Sequence, residues 1–142
     1  SHLIFNLITF YFFGFPLEHR IGGAAFAALY FIGLLVSDVG SYVKHRDDPE
    51  YGSIGASGAI SAVLFASIVY FPSNSVMIFP LPVPIPAPLF AVLYLGYTWY
   101  SARQNRGRIN HDAHLGGALA GLAFVLLTDP SAFRGFVRAV LG

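Results

Sequence analysis

Five apolar runs, each close to the length of a membrane-spanning helix, constrain this chain more than any other feature. They cover residues 1–17, 21–43, 54–71, about 89–102 and about 110–128. Several are shorter than the roughly 20 residues that a helix needs to cross the hydrocarbon core of a bilayer. The helices are nevertheless apolar nearly all round, whereas a soluble bundle needs polar outer faces. The sequence therefore predicts an all-α, polytopic helical bundle in a membrane, with buried helices of a soluble protein as the alternative.

The composition supports a membrane environment and excludes several functions. The chain is 56% hydrophobic and 11% charged, with a mean hydropathy of +0.64. The absence of cysteine excludes disulfides, thiol nucleophiles and thiolate metal sites. A net charge of +1 without a basic stripe indicates no nucleic-acid partner. We expect residues 1–142 to form one domain. Because the chain begins at Ser1 without an initiator methionine, we also expect it to be a piece of a longer protein.

The segment from residue 79 to 88 has proline at every second position. Each proline lacks an N–H group and disfavours the α conformation in the residue before it. We therefore predict an extended, polyproline-like hairpin at the membrane edge, with helix resuming near Leu89.

The segment Gly55-Ala56-Ser57-Gly58 sets a hydroxyl between glycines, just before a run of helix-forming residues. Glycine permits tight backbone conformations and clears space around the serine. The N-terminus of the following helix presents free N–H groups and the positive end of its dipole to an anion forming there. The pattern is typical of a nucleophilic serine with an oxyanion site. Close packing of two membrane helices through small residues is the alternative.

His114 lies near the start of the last apolar run, with Gly117 and Gly121 three and seven residues further on. This spacing puts all three on one helix face, where glycines let another helix approach at backbone distance. If that neighbour is the serine helix, the imidazole comes within hydrogen-bond reach of the Ser57 hydroxyl. His114 would then be placed to act as a general base.

His2 and Asn6 are four residues apart, which places both on one face of the opening helix. Polar groups inside a membrane are costly and mark candidate functional sites. A metal site at His111 and His114 is a weaker alternative, since no further cluster supplies the remaining ligands. We therefore expect no metal and no cofactor. His19 and His45 lie in charged segments and are expected to be solvated.

The chain resembles the rhomboid intramembrane serine proteases. The resemblance covers nearly the whole chain, and the shared motifs occur in the family's order. They are His2-x-x-x-Asn6, Glu18-x-Arg20, Gly55-x-Ser57-Gly58 and Ala113-His114-x-Gly-Gly-x-x-x-Gly121.

The resemblance implies a function and a set of site residues. Ser57 would be the nucleophile and His114 the general base of a dyad, while His2, Asn6 and the Ser57 backbone N–H would form the oxyanion hole. The substrates would be transmembrane segments of other proteins in the lipid bilayer. The resemblance also implies a six-helix core of which five helices are present, and an active site that opens to the outer side of a bacterial or archaeal cytoplasmic membrane.

One position departs from the family pattern. The residue four after the serine is often a large aromatic that supports the histidine ring, but here it is Ser61. The ring would then be held differently, for example by another helix. Two other functions remain open: a rhomboid-like pseudoprotease that binds transmembrane helices without cleaving them, and a transporter or channel that uses polar residues as a pathway.

Overall fold

The computed structural model describes residues 2–50, 56–78, 80–104 and 110–142, with His2 described by its backbone alone. Seven α-helices dominate it: α1 (His2–Thr9), α2 (Phe15–Ile21), α3 (Gly23–His45), α4 (Ser57–Tyr70), α5 (Ala87–Gln104), α6 (His111–Thr128) and α7 (Pro130–Leu141). A five-residue π-helical segment, Phe10–Gly14, joins α1 to α2. The helical bundle predicted from the sequence is confirmed.

Helix α4 lies at the centre of the bundle. Every residue from Ser57 to Val69 is buried, whereas a helix at the edge of a bundle buries only one face. Helices α3 and α6 pack along it, and α1, α2, α5 and α7 make smaller contacts with it. The sequence of α4 has no polar face because it has no exposed side.

Large apolar side chains lie on the outside of the bundle and small polar ones inside. On α3, Phe31, Leu35 and Tyr42 are each more than 60% exposed, whereas Ser37 and Ser41 on the same helix are buried. Soluble monomers rarely expose such continuous apolar surface. Small residues at helix contacts and large apolar ones facing outward are the arrangement expected in lipid.

Helix lengths differ from the five predicted runs. Among the described residues, only α3 is by itself long and apolar enough to span a bilayer, and α6 together with α7 would pass as one span only across a bend of 116°. Helix α4 is apolar but has 14 residues, a length of about 21 Å against a hydrocarbon core of about 30 Å.

The proline-rich segment is extended, as predicted. Strands β1 (Ser75–Met77) and β2 (Pro84–Pro86) pair antiparallel, with Val76 opposite Ile85. Helix α5 then begins at Ala87, two residues before the predicted start. Phe79, within this segment, lies outside the described residues.

Candidate functional site

Helices α4 and α6 touch through their backbones at two glycines of α6. A methyl group added to Gly117 would lie 2.9 Å from the Cα of Gly58, and one added to Gly121 would lie 2.9 Å from the Cα of Ala62. Both distances are shorter than real contacts between carbon atoms. Only glycine fits at these two positions, and the helix that approaches the glycine face of α6 is the one that begins with Ser57.

This contact brings the surroundings of Ser57 and His114 together. A methyl group on Gly58, the residue after Ser57, would lie 3.2 Å from the carbonyl oxygen of Ala113, the residue before His114. Ser57 is the first residue of α4 and is 9% exposed. His114 is half-buried in the first turn of α6. The positive dipole ends of both helices therefore face the same small region.

Asn6 lies in α1, which contacts α4. The guanidinium of Arg20, at the end of α2, lies 5.1 Å from the centre of the Tyr70 ring at the end of α4. The ends of α2 and α4 therefore lie side by side. The Asn6 side chain is half-buried. The side chain of His2 and the whole of Gly55, also predicted for this site, lie outside the described residues.

Ser61 leaves room for an aromatic ring from another helix. The Tyr94 hydroxyl of α5 lies 3.3 Å from the Ser61 hydroxyl, and the Tyr94 ring centre lies 5.4 Å from that of Phe65. A large side chain at position 61 would occupy the place of Tyr94. The sequence does not indicate this position of Tyr94, because nothing along the chain shows that α5 faces the serine helix here.

A second aromatic contact reaches the predicted base. The rings of His111 and His114 are 6.4 Å apart and nearly perpendicular, and Tyr97 of α5 packs edge-on against His111 at 5.4 Å. His111 is buried, and its Nδ1 atom has no hydrogen-bond partner. The ring beside His114 thus belongs to His111, the first residue of α6, and is itself held by Tyr97 of α5.

An ionic cluster holds the start of α6. Asp112 accepts hydrogen bonds from Lys44 Nζ at 2.7 Å and from His45 Nε2 at 2.8 Å, and Lys44 also donates to the carbonyl oxygen of Ala102 at 3.1 Å. The expectation that His45 is solvated is wrong, because its side chain is 10% exposed and paired. These contacts tie the ends of α3 and α5 to the first turn of α6, two residues from His114.

Asn110 caps the same helix. Its side-chain oxygen accepts a hydrogen bond from the Ala113 N–H at 3.0 Å, and its amide donates to Ser41 of α3 at 3.1 Å. An N-cap residue of this kind satisfies one of the free N–H groups of the first turn. No group of three or more His, Asp or Glu that could hold a metal occurs within the described part of the chain.

Comparison with known proteins identifies the class of this helical bundle. The rhomboid domain matches residues 1–130. RHOMBOID-like protein 12, mitochondrial, of Arabidopsis thaliana is 27% identical over 133 residues, which cover 83% of this chain and 39% of that protein. Presenilin-associated rhomboid-like protein, mitochondrial, of Homo sapiens is 31% identical over 135 residues, covering 87% and 33%. Rhomboid protein 1, mitochondrial, of Saccharomyces cerevisiae is 29% identical over 126 residues, covering 87% and 36%.

The chain belongs to the rhomboid family of membrane proteins, whose members are generally intramembrane proteases. It spans between about a third and two fifths of the length of these curated relatives. All three relatives are named as mitochondrial proteins, so the comparisons give no support to the bacterial or archaeal membrane expected from the sequence. No solved structure matches the chain.

Proposed function

We propose that the chain carries the catalytic site of an intramembrane serine endopeptidase, with Ser57 as nucleophile and His114 as general base. The observation that carries the proposal is the backbone contact between Gly58 and Gly117. It joins the serine helix to the histidine helix one residue after Ser57 and one turn after His114. Polar residues are costly inside an apolar bundle, so a serine and a histidine beside such a close helix contact indicate a functional site.

The chemistry follows from these two side chains and the helix end between them. His114 takes the proton of the Ser57 hydroxyl, whose oxygen attacks a peptide carbonyl and forms a tetrahedral intermediate. The Ser57 N–H at the start of α4 and the amide of Asn6 donate hydrogen bonds to the oxyanion, together with His2. His114 then gives the proton to the leaving amine, and water hydrolyses the acyl-enzyme by the same route.

The length of α4 supports a site below the membrane surface. With Tyr70 at one face of the hydrocarbon core, a helix of about 21 Å ends roughly 9 Å short of the other face. Ser57 at that end is then level with the outer part of a substrate's transmembrane helix. Water must enter this part of the bundle, and the substrate must unwind locally because its backbone is hydrogen-bonded within the helix. In this proposal the chain crosses the bilayer several times and the site opens to the outer side.

The proposal is tested by Ser57→Ala in the full-length protein, purified in detergent. We expect the loss of both cleavage of a model transmembrane substrate and labelling by a fluorophosphonate, with an unchanged melting temperature. Ser67→Ala is the matched control, because Ser67 is also buried on α4 and should retain both activities. Cleavage that survives Ser57→Ala with the same products contradicts the proposal. A wild-type protein that binds substrate but is neither labelled nor active is a pseudoprotease.

A second comparison identifies the base. His114→Ala should abolish cleavage, because the hydroxyl of Ser57 is a poor nucleophile without a base. His111→Ala should leave measurable cleavage. In this proposal His111 only supports the ring of His114, and it lies three residues nearer the start of α6. Equal loss of cleavage in both variants, or greater loss in His111→Ala, would contradict the assignment of His114 as the base.

A further inference from the structure

Helix α7 begins at Pro130, the last residue of the matched rhomboid domain, and the rest of the helix lies beyond the match. It begins directly after Asp129, whose side chain accepts a hydrogen bond from the Ala132 N–H at 3.2 Å and so caps it. The chain bends by 116° between α6 and α7. An α7 that turns this sharply crosses the end of the bundle instead of continuing through a bilayer.

The apolar side chains of α7 lie on one broad face of the helix, since Val137 and Val140 are each four residues after Phe133 and Phe136. In the first part of the helix, Ala132, Phe133 and Phe136 pack against the core. In the last part, Val137, Val140 and Leu141 are 38%, 44% and 79% exposed. The bundle therefore covers the start of this apolar face and leaves its end uncovered.

The polar side of α7 carries two positive charges. Arg134 and Arg138 are both exposed and, being four residues apart, lie on one face. Gly135 is next to them around the axis, and a methyl group added there would meet nothing within 4 Å. The acidic neighbour Asp129 is already bonded to Tyr70, Ser131 and the backbone of Ala132.

We propose that α7 is an interfacial helix that binds the surface of the bilayer through anionic phospholipid headgroups. Its exposed apolar residues enter the boundary between headgroups and acyl chains, and the guanidinium groups of Arg134 and Arg138 pair with lipid phosphates. We choose the bilayer as the partner of α7 because exposed apolar side chains also occur at the end of α6, directly before α7. There Leu126 and Leu127 are 47% and 80% exposed. Arg20 lies at the same end of the bundle and adds to its positive charge.

The position of α7 is tested with spin labels in liposomes of phosphatidylcholine and phosphatidylglycerol. Residues 1–142 contain no cysteine, so Val137→Cys and Gly135→Cys each give a single labelled site once any cysteine elsewhere in the full-length protein is replaced by serine. We expect the label at 137 to be reached by oxygen more than by a water-soluble nickel chelate, and the label at 135 to show the reverse. Two water-exposed labels, or a label at 137 immobilised by a second copy or another protein, overturn the proposal.

The role of charge is tested by titrating phosphatidylglycerol into the detergent-solubilised full-length protein and following its melting temperature. Ser57→Ala serves as the background, so the result does not depend on protease activity. Arg134→Gln with Arg138→Gln should weaken the apparent lipid affinity by about fivefold per arginine, and added salt should remove the difference. Arg46→Gln, an exposed arginine at the opposite end, is the control and should match the background. Equal affinity in all variants, or equal stabilisation by phosphatidylcholine, contradicts the proposal.

Discussion

An aspartate stabilises each end of the bundle, but the two aspartates act on the serine helix α4 in different ways. At one end, Asp129 accepts a hydrogen bond at 3.0 Å from the hydroxyl of Tyr70, the last residue of α4. At the other end, Asp112 bonds to Lys44 and His45 of α3. The first carboxylate bonds to α4 itself, and the second joins helices that surround α4.

The difference shows how the start of the serine helix is positioned. Its far end is held by a directional hydrogen bond, whereas its first turn is held by shape, through the contact between Gly58 and Gly117. Backbone contact of this kind fixes the spacing of two helices without using the side chains of either. The backbone contact positions the first turns of α4 and α6 without involving the Ser57 and His114 side chains, while the ionic cluster around Asp112 holds α6 from the outside.

Gly117→Ala should have the largest effect on this arrangement. The new methyl group would overlap the Gly58 backbone and force α4 and α6 apart. Overpacking of this kind costs about 1–3 kcal/mol and sometimes more, and it exceeds the gain of roughly 1 kcal/mol expected from replacing a helical glycine with alanine. We expect a lower melting temperature and loss of substrate cleavage.

Gly116→Ala is the matched control for Gly117→Ala. A methyl group on Gly116 would lie 3.5 Å from the Cα of Ser37, an ordinary contact distance, so this variant should be neutral or slightly more stable. If both variants keep wild-type stability and activity, the positioning of Ser57 does not depend on the backbone contact.

Asp112→Asn should have an intermediate effect. The amide keeps one acceptor but loses the charge that pairs with Lys44 and His45. Hydrogen bonds to charged groups contribute about 1.5–3 kcal/mol, but the Lys44 side chain is 44% exposed, so we expect a loss of about 1–2 kcal/mol in unfolding free energy. Asp47→Asn, at a carboxylate that is 95% exposed, should change it by less than about 0.5 kcal/mol. Equal stability of the two variants would show that the cluster does not hold α6.

The close approach of another helix to the glycine face of α6 could be predicted from the sequence because its cause is local, whereas the sequence left open whether that helix is α4. Helix periodicity alone puts Gly117 and Gly121 on the same face of the helix as His114. The alternating prolines likewise exclude a helix wherever the segment lies. The serine and histidine motifs are local too, which is why a short stretch of sequence was enough to single them out.

Contacts between distant elements could not be predicted. The pairing of His45 with Asp112 joins residues 67 positions apart, and neither residue's neighbours indicate the other. The contacts of Tyr94 and Tyr97 could not be predicted either, because apolar runs do not show which face of α5 meets α4 or α6. Helix α7, in contrast, has a local signal in the sequence. Asp129-Pro130 is a typical helix start, and apolar residues follow at positions 133, 136, 137 and 140.

Asp129→Asn should have the smallest effect, and it depends on pH. Hydrogen bonds from the Ser131 hydroxyl, the Ala132 N–H and the Tyr70 hydroxyl hold the pKa of Asp129 below its usual range. A carboxylate with a lowered pKa in the folded state stabilises the protein above its unfolded pKa of about 3.9, and this stabilisation is lost as the pH falls towards the folded value.

At neutral pH the substitution should cost about 1 kcal/mol or less, because asparagine is also a good N-cap and Asp129 is only half-buried. The difference in melting temperature between wild type and variant should shrink as the pH is lowered from 5 to about 3. A difference that stays constant over this range would mean that the charge of Asp129 does not hold the end of α4.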